Sequence, residues 1–132
     1  MKSLNFSSLV LVILLSGCGL IHKDHLVGRY YLIAENVPEE MHVIYLPPGE
    51  QVVRRIPGTV FAVGWDEHYI IAKQHPKNNL RVTCFYYLDI TKDTAVADAS
   101  ASVTGPLTEA EFIRKQAELH LPPFRRTIKS LE

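Results

Sequence analysis

The densest group of chemically capable side chains in this sequence is Asp66-Glu67-His68, which directly follows the single tryptophan, Trp65. Carboxylates beside an imidazole are the usual components of general acid–base catalysis. A tryptophan at an exposed turn offers a large, rigid contact area to a protein partner or a sugar ring. Each feature has a structural alternative, because acidic residues at a turn normally face water and Trp65 can fold back over a sheet edge. We interpret these four residues as a candidate binding surface.

The thiol of Cys84 is the next candidate for chemistry. A nucleophilic cysteine needs a stabilised thiolate, an oriented base and partial exposure. Cys84 instead alternates with Val82, Tyr86 and Leu88, so it shares the apolar face of a predicted strand. Free cysteine packs as a small hydrophobe. The pattern therefore predicts a buried structural thiol, and we assign no catalytic residue.

The histidines do not predict a metal centre. A structural zinc site needs about four converging ligands. His22 and His25 flank Asp24 near the amino terminus, but two imidazoles on a short tether are an incomplete ligand set. Three others are scattered over different predicted elements: His42, His75 and His120. The glycines are isolated turn residues and form no phosphate-binding loop, so the sequence predicts no metal and no cofactor.

Cys18 belongs to a different kind of site. Seven consecutive aliphatic residues, Leu9–Leu15, follow a region whose only charged side chain is Lys2, and two small residues then precede Cys18. This run is shorter than the roughly 20 apolar residues that span a bilayer. A charged start, a short apolar core and small residues are typical of a cleaved export signal. The sequence LSGC resembles the lipobox of bacterial lipoproteins, which implies removal of residues 1–17 and transfer of diacylglycerol to the Cys18 thiol.

The lipobox resemblance also implies a location. A single acyl chain binds a membrane only marginally, whereas two or more, palmitate among them, anchor a protein stably. We therefore expect the membrane to be a partner of this protein, through acyl chains on Cys18 at its extracytoplasmic face. Gly19, rather than an acidic residue, follows Cys18. In a Gram-negative host this implies the periplasmic side of the outer membrane.

The charge balance excludes nucleic acid from the expected partners. Removing residues 1–17 leaves 115 residues with 13 basic and 14 acidic side chains, whereas nucleic-acid-binding proteins present a strongly basic face. The pairs Arg54–Arg55 and Arg125–Arg126 are interpreted as solvated surface. A chain of this length is typical of one domain. Cys84 is the only thiol left after acylation, so no intramolecular disulfide is expected.

The predicted elements are mainly strands. Residues 19–27 are interpreted as a tether between lipid and fold, and residues 28–132 as one globular domain. The clearest strand signal is the alternation from Leu80 to Ile90. A hairpin is predicted from Thr59 to Gln74, because glycine and aspartate within residues 64–68 favour a turn. Three further candidate strands precede it: 29–36, 41–46 and 50–56.

One helix is predicted near the carboxyl end. Thr108 and Glu111 are spaced as a capping box, and Pro122-Pro123 ends the helix. The predicted fold class is α+β, with five to six antiparallel strands in a small sheet or partly open barrel and this helix packed on it. Residues 91–102 are expected to form an exposed, mobile loop, and the tail from Phe124 is either a last strand or irregular. The helical stripe expected to face the sheet consists of Phe112, Ile113, Gln116, Ala117, His120 and Leu121.

Two stretches of the chain resemble an uncharacterised family. The segment VGWDEHYIIAKQH (Val63–His75), continued by CFYYLDI, and the helix LTEAEFIRKQAELHLP are similar to the domain-of-unknown-function family 3997 of small bacterial lipoproteins. The similarity covers roughly residues 28–123, with Tyr86-Tyr87 standing where the family pattern has Tyr-Trp. The family carries no established activity. The resemblance therefore implies the fold and the lipid anchor but no functional residue.

We therefore predict a lipid-anchored cell-envelope lipoprotein whose domain is not an enzyme and binds an envelope protein or polymer. One alternative is a small-ligand-binding or enzymatic module with its site at Asp66, Glu67 and His68. Another is an inhibitor of an extracytoplasmic enzyme, with its contact on the loop from Lys92 to Ser102.

Overall fold

Two antiparallel sheets pack around one core in this protein and form a β-sandwich. The computed structural model describes residues 20–49, 51–94 and 98–132, so the predicted signal peptide and Cys18 lie outside the described residues. Within them the chain forms nine strands in two sheets, and one α-helix packs on the second sheet. The prediction of antiparallel strands with a carboxyl-terminal helix is confirmed. The expectation of a single sheet or partly open barrel of five to six strands is corrected.

The first sheet contains the amino-terminal half of the described chain. Its strand order follows the sequence, and every neighbouring pair is antiparallel. The first strand lies inside residues 19–27, where a tether was expected, and pairs His22 with Ala34. Its sequence, HKDH, has no apolar pattern. The strand lies at the edge of the sheet, and its residues alternate between half-buried and exposed. The four strands are β1 His22–His25, β2 Tyr30–Ala34, β3 His42–Tyr45 and β4 Val53–Ile56.

The second sheet has the order β8-β7-β6-β5-β9 and contains the predicted hairpin, which is confirmed. The strand expected from Leu80 begins only at Cys84, and Leu80 is 62% exposed. The tail after Phe124 adds a short last strand beside β5. The five strands are β5 Val60–Trp65, β6 Tyr69–Gln74, β7 Cys84–Asp89, β8 Val103–Leu107 and β9 Arg126–Thr127.

The alternation along β7 positions the core and the helix on opposite faces of the second sheet. Tyr86 and Leu88 are buried in the core that both sheets share. Phe85 and Tyr87 point to the other face, where they pack with the helix. The period of two that the sequence showed is therefore confirmed. Hydrophobic burial between the sheets is the main stabilising contribution to such a fold.

The helix, α1 Glu109–Leu119, begins at the predicted capping box. The Thr108 hydroxyl accepts the Glu111 backbone N–H, and the Glu111 carboxylate accepts the Thr108 N–H. Phe112 is buried and stacks on Phe85 with ring centroids 5.0 Å apart. The predicted stripe was wrong at Ile113, which is 54% exposed, and at Ala117 and His120, which are also exposed, because the helix is rotated to bring Phe112 onto the sheet.

The strands of both sheets start and finish at the same two ends of the fold, and these two ends carry different kinds of side chain. Val60 N–H donates to the Met41 carbonyl over 2.8 Å, so β3 and β5 start at the same end. β1 also starts there, while β2 and β6 finish there, as the pairs His22–Ala34 and Val60–Gln74 show. We call this the amino-terminal end, formed by residues 20–21, 35–41, 57–59 and 75–83. The opposite end is called the turn end, formed by residues 26–29, 66–68 and 90–94.

Candidate functional site

The predicted acid–base group lies in the tight turn between β5 and β6. One oxygen of the Asp66 carboxylate accepts the backbone N–H groups of His68, over 2.8 Å, and of Tyr69, over 2.7 Å. An aspartate that binds the backbone ahead of it in this way stabilises a turn. Asp66 is therefore engaged in holding the hairpin closed.

Glu67 and His68 sit at the tip of the same turn. Their side chains are 86% and 62% exposed, and the Glu67 Oε1 to His68 Nε2 distance is 3.7 Å. Water screens such exposed neighbours, so the pair contributes little free energy. The structure thus brings Asp66, Glu67 and His68 together, with one carboxylate occupied by the backbone and the other two groups in solvent.

Trp65 packs back against the fold, which is one of the two arrangements that the sequence allowed. Its ring is half-buried and packs against the core between the sheets. The guanidinium carbons of Arg125 and Arg126 lie 5.1 and 5.0 Å from its ring centroids, within cation–π range. Arg126 also pairs with Asp24 of β1. The two arginines expected to be solvated therefore hold β9 against Trp65 and, through Arg126, against the first sheet.

Cys84 lies where its strand pattern placed it. Within the described chain it carries a free thiol, and it packs against the core between the sheets. It is half-buried rather than fully buried. The position at the first residue of β7 accounts for the remaining exposure.

A buried polar cluster that the sequence did not predict joins the two sheets. The Arg55 and Asp93 side chains are 2% and 0% exposed, with 2.9 Å between Arg55 Nε and Asp93 Oδ2. The Tyr30 hydroxyl donates to the same oxygen over 2.6 Å, and the Ser102 hydroxyl donates to Oδ1 over 2.8 Å. Arg55 also donates to the Thr94 carbonyl over 2.7 Å. Each charge is paired and hydrogen-bonded, as a buried ion requires.

Two expectations are corrected by this cluster. Arg54 is exposed as predicted, but Arg55 is buried, because neighbouring residues of a strand point to opposite faces. The segment 91–102 is also not simply an exposed loop, since Asp93 and Ser102 are drawn into the cluster. Burial and the hydrogen bond to Asp93 raise the pKa of the Tyr30 phenol well above its usual value, so Tyr30 stays protonated and donates. The one sequence signal for the buried cluster was the pair of adjacent arginines in a short strand, because one of the two must point inward.

A cavity of about 330 Å³ lies at the amino-terminal end. It forms where the connection between β2 and β3 meets the connection between β4 and β5 and the segment after β6. Its lining carries both signs of charge together with neutral polar groups. The lining residues are Glu39, Glu40, His42, Arg54, Gly58, Thr59, Lys77 and Asn78.

His42 is the most distinctive group of this lining. It is only 4% exposed, and its Nδ1 donates to the Glu40 carbonyl over 2.7 Å. The other ring nitrogen, Nε2, has no hydrogen-bond partner among the described residues. Nearby, the Thr59 hydroxyl donates to the Glu39 carbonyl and joins the two connections. Buried polar atoms are nearly always partnered, so an unpartnered imidazole nitrogen marks this cavity as a ligand-binding candidate.

The cavity lining includes charged side chains of both signs. Across residues 20–49, 51–94 and 98–132, no three His, Cys, Asp or Glu side chains converge in a way that could hold a metal. Arg54 and Lys77 offer cationic donors, while Glu39 and Glu40 offer carboxylates.

Within the described parts of the chain, no helix is both long enough and apolar enough to cross a membrane.

The comparisons with known proteins identify a family. The profile of the family described as protein of unknown function (DUF3997) matches residues 27–124, which include every strand from β2 to β8 and the helix. No curated protein and no solved structure matches the chain. The resemblance drawn from the Val63–His75 hairpin and the helix is thereby confirmed, and the chain belongs to the DUF3997 family.

Proposed function

We propose that this protein is a lipid-anchored, non-catalytic binding domain at the extracytoplasmic face of a bacterial membrane. The observation that carries the proposal is the position of the lipobox-like sequence directly before the fold. Cys18 precedes Leu20, the first described residue, and β1 begins at His22. Cleavage before Cys18 would therefore leave the sandwich intact and place the acyl chains at its amino-terminal end.

Binding rather than catalysis is supported by the state of the chemically capable groups. Asp66 accepts two backbone N–H groups, and Cys84 packs against the core. The charged pair Arg55–Asp93 is buried and fully engaged. These groups stabilise the fold, and none is presented to a substrate as an activated nucleophile or base would be.

The turn end suits a protein or polymer partner. It lies opposite the residues that follow Cys18, so anchoring at the amino-terminal end would direct the turn end away from the bilayer. Glu67 and His68 are exposed there, beside the half-buried Trp65 and its two arginines. An aromatic ring with flanking arginines is typical of residues that dominate binding energy at interfaces.

Two cysteine variants test the anchor in the full-length protein produced with export. In Cys18→Ser, the sulfur that would receive diacylglycerol is gone, so we expect no palmitate incorporation and accumulation of uncut precursor. Cys84→Ser is the matched control, and it should incorporate palmitate and remain in the membrane fraction. Equal labelling of the two variants, or no labelling of the natural protein, would contradict the proposal.

A photocrosslinking amino acid tests the binding surface. Placed at Glu67, it should give a discrete crosslinked product in intact envelopes, and His68→Ala, at the neighbouring exposed side chain, should reduce that product. The same probe at Ile113, exposed on the helix, is the matched control and should give none. Equal products at both positions would show that the turn end has no specific partner.

A further inference from the structure

We propose that the amino-terminal end of the sandwich rests on the bilayer and inserts its exposed apolar side chains into the lipid interface. The inference rests on the proposed lipid anchor and adds to it a defined orientation and a defined contact surface. The occupant of this surface is therefore a membrane rather than a second protein.

The distribution of exposed apolar side chains supports this orientation. Seven large hydrophobic residues are at least 40% exposed within the described chain. Only Val52 and Ile113 lie elsewhere, on the segment before β4 and on the helix. Exposed apolar side chains concentrated in one part of a fold indicate an interaction site, so the location of the other five is informative. The five at the amino-terminal end are Leu20, Ile21, Val37, Leu80 and Val82.

The topology brings these five side chains to one end from three separate segments. Leu20 and Ile21 lead into β1, and the Ile21 N–H donates to the Ala34 carbonyl, the last residue of β2, over 3.0 Å. Val37 follows in the connection from β2 to β3. Leu80 and Val82 lie between β6 and β7, and His75 Nδ1 donates to the Val82 carbonyl over 2.9 Å. No continuous helix or strand produces this surface, so it is a property of the folded end.

The chain length between the anchor and the fold requires the same end to be near the membrane. Cys18 stands two residues before Leu20. An extended chain spans at most about 3.6 Å per residue, so two residues reach only about 7 Å. An acylated sulfur inserted at the bilayer surface therefore holds Leu20 and Ile21 beside the headgroups. The turn end, at the far side of both sheets, cannot occupy that position.

The polar groups of this end are suited to lipid headgroups. Lys77 and Arg81 are exposed on the same segment as Leu80, so each can contact a lipid phosphate. The cavity at the same end adds Arg54 with Glu39 and Glu40, so both charge signs are present. Apolar side chains for the acyl boundary, next to charged groups for the headgroups, are the usual features of interfacial binding.

Depth-dependent fluorescence quenching tests the orientation in the full-length acylated protein. In a Cys84→Ser background, an environment-sensitive fluorophore is attached to Val37→Cys, Leu80→Cys or Val82→Cys, one at a time. Val52→Cys and Ile113→Cys are the matched controls, because they replace equally exposed apolar residues elsewhere. Each protein is reconstituted into vesicles of phosphatidylethanolamine and phosphatidylglycerol containing lipids with a nitroxide quencher on the acyl chain.

We expect a blue-shifted emission and strong quenching at Val37, Leu80 and Val82, with neither effect at Val52 or Ile113. Circular dichroism of each labelled protein confirms that it is folded. If the mass of the protein shows acylation but all five positions are equally quenched, or none is, the orientation is wrong while the anchor stands. If the protein carries no acyl group, the proposed function fails, and this inference fails with it.

Discussion

The two ends of the sandwich manage their polar groups in opposite ways. At the turn end, Asp66 accepts two backbone N–H groups, and Asp93 is paired with Arg55 and accepts two hydroxyls. At the amino-terminal end, His42 is buried with an unpartnered Nε2 among the described residues, beside a cavity. Apolar side chains such as that of Leu80 are also exposed there.

This difference separates polar groups that already have hydrogen-bond partners within the fold from a polar group that lacks one. A polar atom that already has its partners gains little from a ligand, whereas a buried unpartnered one gains a hydrogen bond. In the cluster that looks most reactive in the sequence, Asp66-Glu67-His68, the Asp66 carboxylate is already hydrogen-bonded to the backbone of the turn. The amino-terminal end looks unremarkable in the sequence and yet presents both a cavity and an apolar surface.

The largest expected effect concerns the buried cluster. Arg55→Ala leaves Asp93 buried without its cation, so the free energy of unfolding should fall by about 3–5 kcal/mol. Arg54→Ala is the matched control on the neighbouring, exposed side chain, and it should change stability by no more than about 0.5 kcal/mol. Denaturant unfolding followed by circular dichroism measures both. Similar losses for the two variants would show that the cluster does not stabilise the fold.

A smaller effect is expected in the turn itself. Asp66→Ala removes the acceptor of two backbone hydrogen bonds, and we expect a loss of about 1–2 kcal/mol because each such bond contributes roughly 1 kcal/mol net. Glu67→Ala, on the adjacent exposed residue, should be close to neutral. If the Asp66 variant is as stable as the Glu67 variant, the Asp66 carboxylate does not stabilise the turn and is free to bind a partner.

The helix start, next to the amino-terminal end, gives a third test. Thr108→Ala removes the hydroxyl that accepts the Glu111 N–H, and the expected loss is about 1 kcal/mol, the usual contribution of a capping residue. Thermal or denaturant unfolding measures this loss. An unchanged midpoint would mean that the capping box does not form in solution.

The smallest effect is a dependence of stability on pH. Hydrogen bonds from Thr108 lower the pKa of Glu111 below its ordinary value of 4.5. Because the pKa is lower in the folded state, ionised Glu111 stabilises the fold fully above the ordinary value of 4.5. This contribution is lost as the pH falls from there through the lower pKa of the folded state. Glu111→Gln should therefore narrow the stability difference between neutral and acid solution. A variant with the same acid sensitivity as the natural protein would rule out this contribution.

Local features of the fold could be predicted from the sequence because their partners are close along the chain. Thr108 and Glu111 are three residues apart, and the turn of the Thr59–Gln74 hairpin is specified by its own residues. β1 could not be predicted, because an edge strand is held by backbone pairing and needs little apolar surface. Its sequence, HKDH, gives no periodic signal for that reason.

Long-range features could not be predicted. Arg55 and Asp93 are 38 residues apart and meet only because the two sheets pack on each other. The sequence shows the strands but not which of them pair, so one sheet was expected where two are found. The cavity has the same origin, since its lining comes from segments that separate strands bring together.

The mature amino terminus is the point on which both the proposed anchor and the proposed orientation depend. Mass spectrometry of the amino-terminal peptide, from protein purified out of the membrane fraction, measures it. We expect a peptide that begins at Cys18 and carries the added mass of a diacylglyceryl group, with or without a further acyl chain. A peptide that begins at Met1, or an unmodified Cys18 thiol, would contradict the anchor and with it the membrane-facing role of the amino-terminal end.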